Sequence, residues 1–283
     1  MKNEKTLFDG GVFEGERALY NTHGARIVNA VFQNGESPLK ESSDLEITSS
    51  VFGWKYPLWY SKNVALSDST LLDTARSGIW YTENITVKNS SIQAPKTFRR
   101  SSKIHLENTT LSRADETLWS CRDVTLKNVF ARGDYFAMNT ENVTAESFSL
   151  DGNYAFDGAK NVTVRNARLI SKDAFWNAEN VEVYDSVIIG EYLGWNSKNV
   201  RFVNCTIESN QGLCYMKDVE LVSCTLINTD LAFELSNVNA EIVSSIVSVK
   251  NPKSGKITAK SIGEIILDRE MIDPDKTEIT VKE

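Results

Sequence analysis

A six-residue motif reads Asn-Val-Thr-Val-Arg-Asn at residues 161–166 and returns as Asn-Val-Glu-Val-Tyr-Asp at residues 180–185. Its second residue, which we call the anchor, is valine at positions 124, 143, 162, 181, 200, 219 and 238, so consecutive anchors are 19 residues apart. A fixed period of this length, carried by short β-branched runs, predicts a solenoid in which every coil covers its neighbour.

The same register extends to both sides of this region. Working backwards, the anchors are Ala25, Leu45, Val64, Ile85 and Ile104, and the next anchor forwards is Ile257. We therefore predict an all-β fold, a single-stranded parallel β-helix of about 12–13 coils of about 19 residues, capped at both ends. The predicted boundaries are one β-helix domain over 1–283, with an N-terminal cap at 1–17, coils at 18–260 and a C-terminal cap and tail at 261–283.

Each coil is predicted to contain three short strands. Apolar residues at the anchor and two positions later enclose a polar residue, which is the pattern of a strand with one buried face. Asparagine recurs one residue before and four residues after the anchor, where its tolerance of the left-handed conformation suits a sharp corner. Stacked asparagine side chains would form an asparagine ladder that passes hydrogen bonds from coil to coil. The third strand is predicted from the apolar column Leu39, Leu58, Ile79, Phe98, Leu118, Phe156, Phe175 and Leu213.

Composition excludes several classes of function. The net charge of −7 and the lack of a basic run argue against a nucleic-acid partner. No apolar run has the length of a bilayer span or of a secretion signal, so we expect no membrane partner and a cytoplasmic location. With only His23 and His105 in the chain, we expect no metal site and no cofactor.

Two of the four cysteines, Cys205 and Cys224, both stand five residues after an anchor. They are predicted to stack in adjacent coils about 4.8 Å apart, a separation that a disulfide tolerates. Two buried free thiols are the alternative, and the rarity of disulfides in the cytosol favours it.

Five of the six tryptophans share one position, five residues before the anchor. Arg99 and Asp157 occupy the same column and would be costly inside, so the column is predicted to face outward. The predicted ligand-binding residues are the aromatic residues of this face: Trp59, Trp80, Trp119, Tyr135, Tyr154, Trp176, Tyr192 and Trp195. The alternative turns the tryptophans inward, as buried aromatic side chains usually are.

Charged side chains share the predicted face with these rings. Asp115 and Asp134 are predicted to stack one coil apart with about 5 Å between their backbones, and carboxylates that close raise one another's pKa and can share acid and base roles. The candidate catalytic residues are Asp115, Asp134, Asp157, Asp173, Glu116 and Arg99. Ordinary solvated surface charge is the alternative.

The three-strand coil with its asparagine columns resembles the right-handed parallel β-helix of pectate-lyase-like proteins. Stretches such as Lys-Tyr-Pro-Leu-Trp-Tyr at 55–60 and Ser-Lys-Asp-Ala-Phe-Trp-Asn at 171–177 are similar to an uncharacterised bacterial β-helix family, a domain of unknown function, over essentially the whole chain. This resemblance implies a fold and no established reaction. The Asp-Asp, Gly-His-Gly and Arg-x-Lys stations expected of β-helix polygalacturonases are absent from the sequence.

Two hypotheses for function follow. The first is a protein that binds or processes carbohydrate on the aromatic and acidic face, as a glycoside hydrolase or a polysaccharide-lyase-like protein if it is an enzyme. The mixture of Arg99, Glu116, Asp157 and Asp173 among aromatic rings favours it. The alternative is a non-catalytic cytosolic scaffold that uses the same face for self-association as a homo-oligomer. The lack of a secretion signal favours this alternative.

Overall fold

The structure, a computed structural model, describes residues 5–282. Residues 1–4 of the predicted N-terminal cap and residue 283 of the predicted tail lie outside the described residues. The chain divides into two compact units, Met1–Val143 and Thr144–Glu283, which we call unit 1 and unit 2. The predicted single-domain organisation stays a prediction.

Short parallel strands make up unit 1. They are β1 (Thr6–Asp9), β2 (Val12–Glu14), β3 (Ala25–Val28), β4 (Val31–Gln33), β5 (Ser43–Thr48), β6 (Val51–Phe52), β7 (Lys62–Ser67), β8 (Thr70–Leu71), β9 (Ile79–Trp80), β10 (Glu83–Lys88), β11 (Ser91–Ile92), β12 (Phe98–Arg99), β13 (Ser102–Leu111) and β14 (Arg122–Arg132). The division between the units falls within the next strand, β15 (Glu141–Asp151).

Unit 2 continues with strands of the same kind. They are β16 (Lys160–Arg165), β17 (Arg168–Ile170), β18 (Glu179–Tyr184), β19 (Val187–Ile189), β20 (Lys198–Val203), β21 (Thr206–Asn210), β22 (Lys217–Asp230), β23 (Asn237–Ile242), β24 (Ser245–Lys250), β25 (Ser254–Ala259), β26 (Ser261–Ile266) and β27 (Thr277–Val281). One turn of 3₁₀ helix, Pro274–Lys276, precedes β27, and residues 5–282 contain no α-helix.

The predicted solenoid fold is confirmed. Strands of successive coils pair in parallel and in the predicted register, with Leu45 opposite Val64 in unit 1 and Val181 opposite Val200 in unit 2. The chain makes about 15 turns with a spacing of about 19 residues, two or three turns more than predicted. The anchor side chains are almost fully buried because each lies between two neighbouring coils and water cannot reach it.

The extra turns come from the ends that were predicted to be caps. In unit 1, β1 pairs with β3 and β2 pairs with β4, so residues 6–14 already form a coil. In unit 2, β27 pairs with β25 and β26 pairs with β24. Ile257 was also misplaced, because Val238 lies opposite Gly255 and Ile257 lies opposite Ala240, which makes this step two residues shorter than the repeat.

The third side of the coil differs from the prediction. It is a strand in β9 and β12, and Val249 of β24 bridges to Ala232 on this side, but in most of the other described coils it is a tight turn. In one such turn the φ angles of Asp173, Phe175 and Asn177 are 57°, 57° and 53°. A strand needs negative φ throughout, so these alternating left-handed residues replace it with a turn. At the equivalent position in β9 stands Ile79, a β-branched residue that resists positive φ.

Side-chain hydrogen bonds join consecutive coils at the predicted asparagine corners. In unit 1, Asn84 Nδ2 donates to Asn63 Oδ1 at 2.8 Å, and in unit 2, Asn199 Nδ2 donates to Asn180 Oδ1 at 2.8 Å. All four asparagines have positive φ, which places the amide at the turn instead of along the strand.

Cys205 and Cys224 are buried free thiols, as in the favoured alternative. Each Sγ atom donates to a backbone carbonyl of the preceding coil at 3.4 Å. Cys121 and Cys214 are also buried and free, and burial raises the pKa of each of these two thiols to about 12. All four side chains therefore serve as small apolar residues of the core.

Candidate functional site

The tryptophan column faces outward, as predicted. Leu58 and Ile79 are completely buried, whereas the residues that follow them, Trp59 and Trp80, are half-buried. The same holds in unit 2, where Phe175 is buried and Trp176 is half-buried. The indole rings therefore line the surface of the third side, and each keeps part of its area in contact with solvent.

In unit 1 these rings form a continuous stack with an arginine, which we call the arginine–tryptophan stack (Trp59, Trp80, Arg99, Trp119). The rings of Trp59 and Trp80 are nearly parallel, with an interplanar angle of 9° and centroids 5.3 Å apart. The Arg99 guanidinium carbon lies 4.8 Å from the Trp80 ring centroid and 4.8 Å from that of Trp119. Both faces of Trp80 are therefore covered by the chain itself, and only ring edges face outward.

Hydrogen bonds hold two of these indoles. Trp80 Nε1 donates to the Lys96 carbonyl at 2.8 Å, and Trp59 Nε1 donates to the Ser77 carbonyl. Trp119 Nε1 has no acceptor among the described residues. The stack thus leaves little bonding capacity for a ligand at Trp59 and Trp80.

The charges beside the stack compensate one another. Glu116 Oε2 accepts from Arg99 Nη2 at 2.7 Å, and Glu116 Oε1 lies 3.0 Å from Lys96 Nζ. Burial acts to raise the pKa of Glu116, but the hydrogen bonds from Lys96 and Arg99 outweigh it and hold that pKa below its ordinary value. Glu116 and Arg99, both predicted to be catalytic, are joined here in an ion pair.

Asp115 and Asp134 occupy equivalent positions in consecutive coils of unit 1. Asp115 Oδ1 accepts from the backbone N–H of Asp134 at 3.4 Å. In unit 2, Asn153 Oδ1 accepts from the N–H of Lys172 at 3.2 Å in the same way. An uncharged amide replaces the carboxylate at this position, so the contact links coils and needs no acid. A catalytic role for Asp115 and Asp134 stays a prediction.

In unit 2 a different group of side chains forms around a buried acid, and we call it the Asp173 cluster (Tyr154, Asp157, Asp173, Trp176, Glu191). Asp173 is 5 % exposed, and its carboxylate accepts no hydrogen bond from the residues that the structure describes. Burial raises its pKa above the ordinary value, Lys172 opposes that rise, and the negative charges of Glu191 and Asp157 add to it. An acid that is buried in this way has spare capacity to accept hydrogen bonds.

The neighbouring acids have partners. Asp157 Oδ1 accepts from Asn177 Nδ2 at 3.0 Å, and Glu191 Oε2 lies 3.4 Å from Lys172 Nζ. The Lys172 ammonium also lies 5.1 Å from the centroid of the Tyr192 ring. Lys172, the one cation of the described residues that acts on Asp173, is thus already held by another acid and an aromatic ring.

Trp176 makes fewer contacts than Trp195, the other tryptophan of unit 2. It contacts one aromatic ring, Tyr154, at 6.4 Å between centroids, and its Nε1–H has no acceptor among residues 5–282. Trp195, by contrast, donates from Nε1 to the Gln211 carbonyl and packs edge-on against Tyr192 and Tyr215 at 5.2 and 5.0 Å. One turn of unit 2 therefore contains both an indole N–H and a carboxylate that have no hydrogen-bond partner among the described residues.

The predicted site residues thus fall into two groups. Arg99, Asp115, Glu116, Asp134, Trp59, Trp80, Trp119 and Tyr135 lie in unit 1, and Tyr154, Asp157, Asp173, Trp176, Tyr192 and Trp195 lie in unit 2. Their roles as catalytic or ligand-binding residues stay predictions. Lys172 and Glu191 were missed, although both continue the sequence column of Asp115 and Asp134 and could have been found by following it.

The described residues contain neither a cluster of metal ligands nor a membrane-spanning helix. Among residues 5–282, no group of three or more histidine, cysteine, aspartate or glutamate side chains is arranged to hold a metal ion. Within the same described residues, no helix has the length and apolar character needed to cross a bilayer.

A solved structure similar to this chain, that of PfbA, supports the fold. A surface adhesin of Streptococcus pneumoniae, PfbA, aligns with a TM-score of 0.55 at 10 % identity and covers 99 % of this chain and 86 % of its own. The A-module of the Azotobacter vinelandii mannuronan C-5 epimerase AlgE6 aligns with a TM-score of 0.40 at 11 % identity, over 93 % of this chain and 90 % of its own. At such low identity the likeness is one of fold alone.

Sequence comparison gives the family. No curated protein sequence matches the chain significantly. The model of a family described as a protein of unknown function, DUF3737, matches residues 6–280, which is nearly the whole chain. The chain therefore belongs to this DUF3737 family.

Proposed function

We propose that this protein binds carbohydrate and that the binding site is the Asp173 cluster of unit 2. One observation carries the proposal: Asp173, a residue that is 5 % exposed, has a carboxylate that accepts no hydrogen bond from residues 5–282, and three residues later stands a half-buried indole whose N–H has no acceptor there. Both groups can therefore form hydrogen bonds with a ligand. A ligand that supplies hydroxyl donors and acceptors would match them.

Sugars match the chemistry of these two groups. Their hydroxyls can donate to the Asp173 carboxylate and accept from Trp176 Nε1–H, while their C–H faces pack on aromatic rings. The arginine–tryptophan stack offers less, since the two faces of Trp80 are covered by Trp59 and Arg99. The proposed binding site is therefore one coil of the predicted aromatic face together with the coils next to it.

A second candidate function is glycoside hydrolysis at the same cluster. The raised pKa of Asp173 favours it, because a general acid must hold a proton near the working pH. Asp173 would protonate the leaving oxygen, and Asp157 or Glu191 would act as the second carboxylate. Asp173→Asn would then abolish turnover of an oligosaccharide while the variant still binds it.

The test of binding compares two matched tryptophans. Trp176→Ala and Trp119→Ala both remove a half-buried outward indole whose N–H has no acceptor among the described residues. After a glycan array has identified a ligand for the wild type, isothermal titration calorimetry should show that Trp176→Ala weakens binding at least about tenfold. Trp119→Ala should bind within about threefold of the wild type, because its ring lies on Arg99 in unit 1.

Two results would contradict the proposal. One is a blank array for the wild-type protein, and the other is a Trp176→Ala variant that binds as tightly as the wild type. Light scattering on the same samples tests the scaffold alternative. A homo-oligomer that dissociates in Trp176→Ala, together with a blank array, would favour self-association through this face.

A further inference from the structure

The Asp173 cluster carries more negative than positive charge. Asp157, Asp173 and Glu191 contribute three carboxylates, and Lys172 contributes the one ammonium that acts on Asp173. That ammonium is bound to Glu191 at 3.4 Å and lies over the Tyr192 ring. Asp157 Oδ1 accepts from the neutral amide of Asn177. Among residues 5–282 neither Asp173 nor Asp157 forms an ion pair, and the Lys172 ammonium that acts on Asp173 is shared with Glu191.

Aromatic residues occupy the repeat positions next to Asp173. Tyr154 and Tyr192 hold the positions equivalent to Asp173 in the coils before and after it, and Trp176 follows three residues later in the same turn. The electron-rich face of such a ring attracts cations. Next to the cluster, the Lys172 ammonium makes such a contact, because it lies 5.1 Å from the centroid of the Tyr192 ring.

We propose that the sugar recognised by the Asp173 cluster is an amino sugar with a free, protonated amino group. This inference rests on the proposed carbohydrate binding and specifies its ligand class. The ammonium would donate to the Asp173 carboxylate beside the Trp176 ring and supply the charge that the cluster lacks. A charge-assisted hydrogen bond of this kind is about twice as strong as a neutral one.

Three other classes of sugar should bind this cluster more weakly than an amino sugar. An N-acetylated sugar has lost the positive charge and can offer only a neutral amide to Asp173. A neutral hexose offers hydroxyls alone. A uronic acid brings a further carboxylate toward Asp157, Asp173 and Glu191, and like charges in a partly desolvated site repel one another. The expected order of affinity is amino sugar, then the neutral sugars, then uronic acid.

The experiment measures binding of four short oligosaccharides of equal length to the full chain by calorimetry at about pH 6, where a sugar amine is protonated and most carboxylates are ionised. The probes are oligomers of glucosamine, of N-acetylglucosamine, of glucose and of galacturonate. We expect the glucosamine oligomer to bind at least about tenfold tighter than the neutral oligomers. Added salt should weaken the binding of the glucosamine oligomer and leave that of the neutral ones nearly unchanged.

Asp173→Asn tests the role of the charge with little change of shape. Asparagine tolerates the positive φ of this position, so the turn should persist, and far-UV circular dichroism checks that it does. The preference for glucosamine over glucose oligomers should fall to within about twofold in Asp173→Asn. Asp218→Asn, at an exposed acid outside the cluster, should keep the full preference.

The possible results distinguish the amino-sugar assignment from the more general proposal of carbohydrate binding. Equal affinity for glucosamine and glucose oligomers, or tighter binding of galacturonate, overturns the amino-sugar assignment and leaves carbohydrate binding intact. Failure of all four oligosaccharides to bind, together with a blank glycan array, overturns both. Tighter binding of an oligolysine peptide than of any sugar would show that the cluster recognises ammonium on a protein, and would overturn the assignment to a sugar.

Discussion

In unit 1, Trp80 lies between the Trp59 ring and the Arg99 guanidinium, whereas in unit 2, Trp176 contacts a single ring, that of Tyr154. The acids differ in the same sense. Glu116 has two cationic partners and a lowered pKa, while the Asp173 carboxylate accepts no hydrogen bond from the described residues and its pKa is raised. Both pairs occupy the same two columns of the repeat.

The difference comes from the residue one coil away. In the column that holds Glu116, the preceding coil supplies Lys96, and opposite charges stacked in a ladder neutralise each other. In the same column of unit 2, Asp173 has Tyr154 before it and Tyr192 after it, and neither supplies a positive charge. In a solenoid, a neighbour's identity thus decides whether a column position stabilises the coil or stays available to a ligand.

The largest expected effect concerns the stability contributed by the two tryptophans. Trp80→Ala should lower the free energy of unfolding by about 3 kcal/mol, because it removes two ring-face contacts and the hydrogen bond to the Lys96 carbonyl. Trp176→Ala should cost only about 1 kcal/mol, since it loses one distant ring and no hydrogen bond. Urea unfolding followed by far-UV circular dichroism measures both. Equal losses would break the comparison.

The next effect tests whether Arg99 acts as part of the stack. Arg99→Ala should lower the free energy of unfolding by about 2 kcal/mol, because two cation–π contacts and the bond to Glu116 disappear together. Arg100→Ala is the matched control, since Arg100 is the adjacent, exposed arginine. It should cost at most about 0.5 kcal/mol. A similar cost at both positions would show that the stack contributes no more than ordinary surface charge.

The repeat predicted the fold because its physical signal is redundant. The anchor and the inward residue two positions later recur from coil to coil, and most coils add a corner asparagine, so an irregular coil does not hide the period. The third side was less predictable. An inward–outward alternation such as Phe175 and Trp176 fits a strand and fits equally a turn with alternate left-handed residues. Tyrosine and phenylalanine give little sign of positive φ, which asparagine does.

The sequence predicted which residues lie at the candidate site, but it did not predict which of them contact one another. Sequence columns placed Asp173 and Trp176 on the outer surface of one coil, but the period alone could not show that Asp173 is buried and lacks a hydrogen bond. That depends on side-chain conformations of neighbouring coils, such as Lys172 turning toward Glu191. Asp115 and Asp134 were predicted to stack, and they are adjacent. Their contact is a hydrogen bond from the backbone N–H of Asp134 to the Asp115 carboxylate.

The smallest expected effect is the pH dependence of the stability contributed by Glu116 and Asp173. The two acids should contribute with opposite signs. The folded-state pKa of Glu116 is lowered from 4.5, so its contribution to stability is present above that pH and is lost as the pH falls through the folded-state value. Glu116→Gln should therefore be about 1 kcal/mol less stable than the wild type at neutral pH, with the difference shrinking in acid.

Asp173→Asn should behave in the opposite way. The folded-state pKa of Asp173 is raised from 3.8. At a pH below 3.8 the side chain is protonated in both the folded and the unfolded state, so it does not affect stability. As the pH rises from the unfolded-state pKa to the folded-state pKa, the free energy of unfolding falls. Removing the charge should stabilise the protein at neutral pH by up to about 1 kcal/mol and change little in strong acid. Urea unfolding of both variants across this pH range measures the two trends. If both variants changed with the same sign, the proposed contrast between a compensated acid and an available one would be wrong.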